Sequence, residues 1–166
     1  MTKLVGQSIT IVSPIYLTIP RKTKKDKVYS LNLNTYRNLH FIVNNQLKEI
    51  YEQQMYEKLK NVYFNNPVRL TFVLYKRDRR IIDRSNFLCI VEKFFCDCLT
   101  NFGCIPDDND NFIESTTYKT GGVDPKNPRV EIQIVEVTEN ELIESSDMPE
   151  YLSEPLLFPT NEVTGV

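Results

Sequence analysis

A strand pattern that leads through a basic run into a helix pattern, in residues 68–103, constrains the fold most. Residues 68–75 read VRLTFVLY, a run rich in β-branched and aromatic side chains that predicts a buried strand. Residues 86–102 then carry apolar side chains at helical spacing, and Gly103 is suited to end that helix. Its predicted buried side is formed by Phe87, Ile90, Val91, Phe94, Cys98, Leu99 and Phe102. The chain must therefore pack at least one helix on a sheet.

Patterns on either side of this unit predict an α+β domain. Residues 7–19 predict one or two strands, and residues 33–60 predict a long helix for which Asn34 is a candidate cap. Residues 112–120 and 128–137 alternate as two more strands, joined by a long hairpin connection. The predicted order is β(β)–α–β–α–β–β, a mixed β-sheet with two main helices packed on one face.

The distribution of charge divides the chain into two parts. Residues 138–166 contain seven acidic side chains and no Lys or Arg, which predicts an acidic, partly flexible tail. Residues 1–137 form the predicted domain and carry a net charge of +5, from 20 basic and 15 acidic side chains. A basic body is compatible with a polyanionic partner, but ordinary solvated charge explains this composition equally well.

The sequence also predicts the cellular setting. It contains no apolar run of 18 residues and no signal-peptide pattern, so we expect a cytoplasmic protein that does not enter a membrane. The four cysteines fall within 16 residues, three of them inside the second helix pattern. Cys96 and Cys98 would lie about 200° apart on a helix, which argues against a shared metal. We therefore expect buried or half-buried thiols.

Aspartates lie at both ends of the second helix pattern. Asp83 stands just before it, and Asp107 and Asp108 follow its end. A 17-residue helix is about 25 Å long, so these carboxylates meet only if residues 104–110 run back along the helix. If they meet, their hard oxygen atoms suit Mg²⁺ or Mn²⁺, which supports phosphodiester hydrolysis. The alternatives are that Asp83 only caps the helix and that the loop is only an acidic turn.

Polar side chains also recur along one face of this helix pattern. Asn86, Lys93 and Asp97 are spaced by seven and four residues and fall close to one meridian. This stripe either faces solvent or belongs to a site. The alternative for Lys93 and Asp97 is a simple ion pair between residues four apart.

These motifs, in this order, resemble those of the RusA family of Holliday junction resolvases, which are common in phages and prophages. The resemblance covers residues 67–137. It rests on the basic run Asp78-Arg79-Arg80, the motif Asp83-Arg84-Ser85-Asn86, and the later Lys93, Asp97-Cys98-Leu99, Gly103 and Asp107-Asp108. The closing strand pattern at residues 127–134, NPRVEIQI, is also similar.

The resemblance implies a RusA-like, homodimeric, Mg²⁺-dependent endonuclease that cuts four-way DNA junctions by paired nicking. Asp83 and Asp108 correspond to the family's metal-binding aspartates, and Lys93 corresponds to its catalytic lysine. Ser85 stands where the family has a second aspartate in its first motif. Asp107, Asp110 or Asp97 could supply the missing carboxylate, with Asn86 in support.

Two basic clusters are candidates for phosphate contacts, which give affinity without reading the base sequence. The first lies in residues 20–27, a predicted loop, and the second follows the central strand. Together the predicted DNA-binding residues are Arg21, Lys22, Lys24, Lys25, Lys76, Arg77, Arg79, Arg80 and Arg84.

Three functions are therefore consistent with the sequence. The first is a junction-resolving endonuclease that uses Asp83, Asp108 and Lys93. The second is a protein of the same fold that binds DNA junctions but has lost catalysis through Ser85. The third is an unrelated α+β interaction module, which predicts no affinity for DNA even at low salt.

Overall fold

The computed structural model describes residues 8–138 and confirms an α+β fold with a mixed sheet. The seven N-terminal residues and residues 139–166, which hold nearly all of the predicted acidic tail, lie outside the described part. In chain order the elements are β1 (Ile9–Pro14), β2 (Tyr16–Ile19), β3 (Lys27–Ser30), α1 (Leu33–Asn38), α2 (Phe41–Leu59), β4 (Val68–Lys76), α3 (Arg84–Asn101), β5 (Ile113–Val123) and β6 (Arg129–Glu136).

Strand β4 is central to a four-stranded sheet of order β1-β6-β4-β5. It pairs parallel to β5 and antiparallel to β6, while β1 pairs antiparallel to β6. The predicted hairpin between the last two strands is therefore wrong, because β4 lies between β5 and β6. Helix α3 instead connects β4 to β5 as a crossover, which is the connection that parallel neighbours require.

The core lies on one face of this sheet. Alternate residues of β4 are buried there, from Val68 to Leu74, and Phe72 meets Phe95 of α3 edge to face with ring centroids 6.1 Å apart. Helix α2 packs on the same face, where the buried hydroxyls of Tyr51 and Ser13 lie 2.7 Å apart. The prediction that two main helices share one face is confirmed.

The predicted helix over residues 33–60 is two helices. Leu39 adopts an extended conformation with φ −87° and ψ 145°, which separates α1 from α2. Asn32, not Asn34, caps α1 by accepting from the Thr35 backbone N–H at 2.9 Å. His40 caps α2, and the Asn44 side chain donates to the Tyr36 carbonyl at 2.9 Å across the corner.

Two loops carry the basic clusters. The lysine loop (residues 20–26) joins β2 to β3 in a separate two-stranded sheet, and β3 was not predicted as a strand. The arginine loop (residues 77–83) joins the end of β4 to the start of α3. Because α3 then runs back along β4, the arginine loop and the loop after α3 lie at opposite ends of the sheet.

Candidate functional site

An open groove of about 460 Å³ runs between α3 and the start of β5. Its charged lining consists of Glu92, Lys93, Asp108, Asp110 and Glu114. Two residues predicted for catalysis, Lys93 and Asp108, therefore line the same groove. One cation and four carboxylates around an open space form a strongly polar site with access to solvent.

The helical wall of this groove follows from residue spacing. Glu92, Lys93 and Cys96 follow Cys89 by three, four and seven residues, which places all four on one face of α3. The neighbouring face of α3, with Leu88, Val91 and Phe95, is fully buried against the core. Lys93 itself is exposed, and no carboxylate of residues 8–138 lies within 4 Å of its ammonium group.

The loop that brings Asp108 to the groove starts at Gly103. This residue has φ +68°, a conformation that glycine adopts without strain, and it follows α3 directly. The next two backbone N–H groups, of Cys104 and Ile105, both donate to the Leu99 carbonyl, at 2.8 and 3.3 Å. Cys104 is fully buried, which anchors the chain as it turns back along the helix.

Asp107, which was predicted as a metal ligand, holds the turn. Its carboxylate accepts from the Asp108 backbone N–H at 2.9 Å and from the Asn109 side-chain amide at 2.7 Å. Asp107 is not among the residues that line the groove, whereas Asp108 and Asp110 are. The turn therefore directs the carboxylates of Asp108 and Asp110 toward the groove.

Glu92 was not singled out from the sequence. Its carboxylate accepts a hydrogen bond from the Tyr118 hydroxyl of β5, which fixes it at the groove. Burial and this hydrogen bond raise the pKa of Tyr118, so the phenol stays protonated and continues to donate. The spacing of Glu92 from Cys89 and Cys96, by three and four residues, is the sequence signal that places it on the same face of α3.

Glu114 was also missed, and its charge is compensated. It forms a two-point ion pair with Arg69 of β4, at 2.6 Å to Nε and 3.0 Å to Nη2. No pattern in the sequence reveals this pair, because it depends on the parallel register of β4 and β5. Glu114 is therefore less available than Asp108 or Asp110 for a bound cation.

The two groove thiols are neutral. Burial raises the pKa of Cys96 to about 12, and the Glu92 and Asp108 carboxylates add to the effect. The pKa of Cys89 is also raised by burial, with smaller contributions from Glu92 and Asp83. All four cysteines are free, as expected from the sequence. Burial is therefore the main reason why both thiols stay protonated.

Asp83 is not among the residues that line the groove. It caps α3, and its Oδ1 atom accepts from the Ser85 backbone N–H at 3.0 Å and from the Ser85 hydroxyl at 2.6 Å. The Ser85 hydroxyl is the main reason why the pKa of Asp83 is lowered. Cys96, which lines the groove together with Asp108, follows Asp83 by 13 residues. This spacing corresponds to about 20 Å along the helix. Within one chain, Lys93 and Asp108 therefore line the same groove, whereas Asp83 lies at the start of α3.

The predicted polar stripe on α3 divides between two environments. Asp97 forms an ion pair with Lys48 of α2 at 2.7 Å, not with Lys93. Asn86 is half-buried near the helix start, and its backbone carbonyl accepts weakly from the Cys89 thiol at 3.8 Å. Asp97 thus ties α3 to α2, whereas Lys93 faces the groove.

The arginine loop is ordered by its own hydrogen bonds. The Lys76 ammonium donates to the Arg80 carbonyl at 2.8 Å, and the Asp78 carboxylate accepts from the Arg80 backbone N–H at 3.0 Å. Arg84 donates to the Thr120 hydroxyl at 3.3 Å. Within residues 8–138, Arg77 and Arg79 have no carboxylate within 4 Å.

The lysine loop is similarly exposed. The Arg21 backbone N–H donates to the Asp26 carboxylate at 3.1 Å, and the Arg21 side chain donates to the Lys25 carbonyl at 2.7 Å. Lys22, Lys24 and Lys25 are exposed, and in the described part they form no ion pair. Both loops therefore present positive charge to solvent.

The groove has the donor chemistry for Mg²⁺ or Mn²⁺. Among residues 8–138, no three His, Cys, Asp or Glu side chains are already gathered as a metal-binding group. Mg²⁺, however, is commonly held by one or two carboxylates together with water and substrate phosphate oxygens. Asp108 and Asp110, exposed at the groove, are of this type, with Glu92 opposite on α3.

Comparisons with known proteins leave the family unassigned. No protein-family model matches the chain, and no curated protein matches it. Within residues 8–138, no helix combines the length and apolarity needed to cross a membrane.

Proposed function

We propose that the protein is a Mg²⁺- or Mn²⁺-dependent endodeoxyribonuclease that nicks four-way DNA junctions in the manner of the RusA family. One observation carries the proposal: Lys93 lines the same open groove as the exposed carboxylates of Asp108 and Asp110. A cation beside hard oxygen donors is the arrangement that a phosphodiester requires, because the scissile phosphate and its bound metal need opposite charges around them.

The groove residues have distinct roles in this proposal. Asp108 would hold the metal, with Asp110 or Glu92 as a second carboxylate. A divalent metal held there would supply charge neutralisation at the phosphate and an activated water as the attacking group. Lys93 donates to the scissile phosphate or its leaving oxygen as negative charge develops there. The Tyr118 hydroxyl keeps the Glu92 carboxylate oriented.

The role of Asp83 stays a prediction from the resemblance. Asp83 lies outside the groove, so the proposal depends first on Lys93 and Asp108. Its hydrogen bonds with Ser85 lower the pKa of Asp83, which lies at the end of the arginine loop and is ionised at neutral pH. A carboxylate in that state can still bind a cation near the DNA backbone.

The two basic loops supply affinity for the DNA backbone. Unpaired Arg77 and Arg79, and the exposed lysines of residues 20–26, suit phosphate contacts that do not depend on sequence. The proposal includes a homodimer, because paired nicking of a symmetric junction needs two grooves. The proposal also places the protein in the cytoplasm, as its composition predicts, and assigns it to the phage or prophage type, as the resemblance implies.

An assay on a synthetic four-way junction tests the proposal. Purified protein should nick the labelled junction in Mg²⁺ or Mn²⁺ and not in EDTA, with much less cutting of linear duplex. Lys93→Met should lower the single-turnover rate by about 10²- to 10³-fold, the usual effect of losing one oriented donor, without weakening junction binding. Lys60→Met, which removes a surface lysine paired with Glu57, should change neither. No nicking by the wild type would refute the proposal.

A second candidate is a protein that binds junctions without cutting them. The specific observation in its favour is that Ser85 replaces a family carboxylate and donates its hydroxyl to Asp83. Tight junction binding without cleavage would support this candidate. Gain of metal-dependent nicking in Ser85→Asp would support it further.

A further inference from the structure

Ile81 is a large apolar side chain held in solvent at the tip of the arginine loop. It is fully exposed, with a relative accessibility of 101%, the highest of the exposed large hydrophobic side chains in residues 8–138. The next is Phe41 at 66%. A single exposed hydrophobic residue is ordinary on a protein surface, so its meaning depends on what surrounds it.

The surrounding loop keeps Ile81 from folding inward. Its neighbour Ile82 lines a small cavity of about 170 Å³ under the loop, with Leu74 and Phe87, and packs against the core. On the other side, the Arg80 carbonyl and backbone N–H are tied to Lys76 and Asp78. Ile82 is therefore anchored in the core, while the adjacent Ile81 projects into solvent.

The charge around Ile81 is strongly positive. Residues 76–84 contain five basic and two acidic side chains, a net charge of +3. The Asp78 Oδ2 atom lies 3.7 Å from the Arg80 Nε atom. In the described part of the chain, Arg77 and Arg79 have no carboxylate within 4 Å. A protein partner with an apolar pocket would not by itself need this charge, whereas a nucleic acid would.

Apolar side chains flanked by arginines are suited to enter a base stack. Arginines contact phosphates on both sides, and the apolar group takes the place of a neighbouring base where stacking is interrupted. Unstacking a step of continuous duplex costs a few kcal/mol, and a branch point, where stacking is already broken, requires less. A side chain that enters a base stack would therefore favour branched over linear DNA.

We propose that Ile81 is a wedge that inserts at the branch point of a DNA junction, while Arg77 and Arg79 hold the adjoining phosphates. This inference rests on the proposed function and specifies which feature of the substrate the arginine loop recognises. It gives the protein a source of structural selectivity that is separate from the groove. Ile81 binds substrate and takes no part in bond cleavage.

Fluorescence of 2-aminopurine tests this wedge. A four-way junction with 2-aminopurine beside the branch point is titrated with protein in Ca²⁺, which allows binding without the catalytic metal. Wild type should raise the fluorescence by unstacking the probe. Ile81→Ser should remove most of that rise and lower the preference for junction over duplex about tenfold, while duplex affinity changes less than about twofold.

Two variants separate the wedge from other causes. Ile42→Ser replaces another exposed isoleucine, 52% accessible on α2, and should behave as wild type. Arg79→Ala should weaken binding to junction and duplex alike and keep the fluorescence rise at saturation. Because Ile81 makes no buried contact, Ile81→Ser should fold normally.

The possible outcomes distinguish this inference from the proposed function. If Ile81→Ser retains both the fluorescence rise and the junction preference while wild type nicks junctions, the wedge is wrong and the nuclease stands. If wild type binds neither junction nor duplex at low salt, both proposals are overturned. If Ile81 instead contacts a protein partner, Ile81→Ser should retain both the fluorescence rise and the junction preference.

Discussion

At the scale of single residues, neighbouring positions on α3 serve different partners. Lys93 and Asp97 are one turn apart, yet Lys93 faces the groove and Asp97 pairs with Lys48. Spacing along a helix identifies which residues share a face but not which element that face meets. The ordered motifs singled out Lys93 and Asp108, and both residues line the groove. Glu92 and Glu114 were missed because their roles depend on contacts with Tyr118 and Arg69 across the parallel strands.

The hydrogen bond between Ser85 and Asp83 gives a prediction about ionisation. In the wild type the Ser85 hydroxyl lowers the pKa of Asp83 below its usual 3.8. Ser85→Ala should move the pKa of Asp83 up toward that value, since the largest cause of the shift is gone. Carboxyl ¹³C NMR titration of both proteins measures the change.

The same shift predicts how stability responds to acid. A carboxyl group with a lowered pKa in the folded state stabilises the fold above its usual pKa, and this contribution is lost as the pH falls below about 3.8 toward the lowered value. Wild type and Ser85→Ala should therefore differ most at neutral pH and converge in acid. An unchanged Asp83 pKa in Ser85→Ala would show that the hydroxyl is not the cause.

At the scale of elements, the sequence predicted most helices and strands but not all of their partners. The patterns for β4, α3 and the two strands before Pro20 are correct, because burial on one face imposes them. The alternation of apolar and polar residues in β5 and β6 does not indicate which strands pair with each other. The predicted hairpin between them was therefore wrong. The break at Leu39 was missed because α1 and α2 both continue an apolar pattern with no Gly or Pro between them.

The end of α3 makes a prediction about the groove. Gly103 has φ +68°, so Gly103→Ala should lower the free energy of unfolding by about 1 kcal/mol. It should also lower nicking, because residues 104–110 carry Asp108 to the groove. Gly103→Asn is the matched control, since asparagine adopts this conformation more readily and should lose less of both. Urea unfolding and the nicking rate measure the two effects, and equal losses in the two variants would contradict this reason.

The ion pair between α2 and α3 makes a prediction about alkaline pH. The hydrogen bond with Asp97 raises the pKa of Lys48 above its usual 10.5. A raised pKa stabilises the fold below 10.5, and the stabilisation is lost as the pH rises through the raised value. A double-mutant cycle of Lys48→Met and Asp97→Asn should give about 0.5 kcal/mol of coupling at pH 8, because both groups are partly exposed. The coupling should shrink above pH 10.5, and a constant value would contradict the assignment.

At the scale of the whole molecule, charge is arranged by region. The groove concentrates carboxylates between α3 and β5, while the lysine loop and the arginine loop concentrate cations. The sequence alone revealed the two basic clusters, since both runs are contiguous, but not the carboxylates of the groove. It could not reveal that Asp108 lines the groove while Asp83 does not, because the path of residues 104–110 depends on how Cys104 and Ile105 are buried.

This arrangement predicts how DNA binding depends on salt. Binding through phosphate contacts weakens linearly on a log–log plot as salt rises, with a slope set by the number of contacts. Removing Arg77 and Arg79 together should lower that slope by about 2, and should weaken binding to junction and duplex similarly. Lys60→Ala should leave the slope unchanged. A slope unaffected by the arginine pair would show that the arginine loop does not contact DNA.

The central claim is that the groove shared by Lys93 and Asp108 is the catalytic site of a junction nuclease. The most direct test is the single-turnover nicking rate of a four-way junction by Asp108→Asn in saturating Mg²⁺. The predicted result is a loss of at least about 10²-fold with junction affinity retained, while Glu57→Gln, at an exposed carboxylate on α2, nicks as wild type does. An Asp108→Asn protein that nicks at the wild-type rate would contradict the claim.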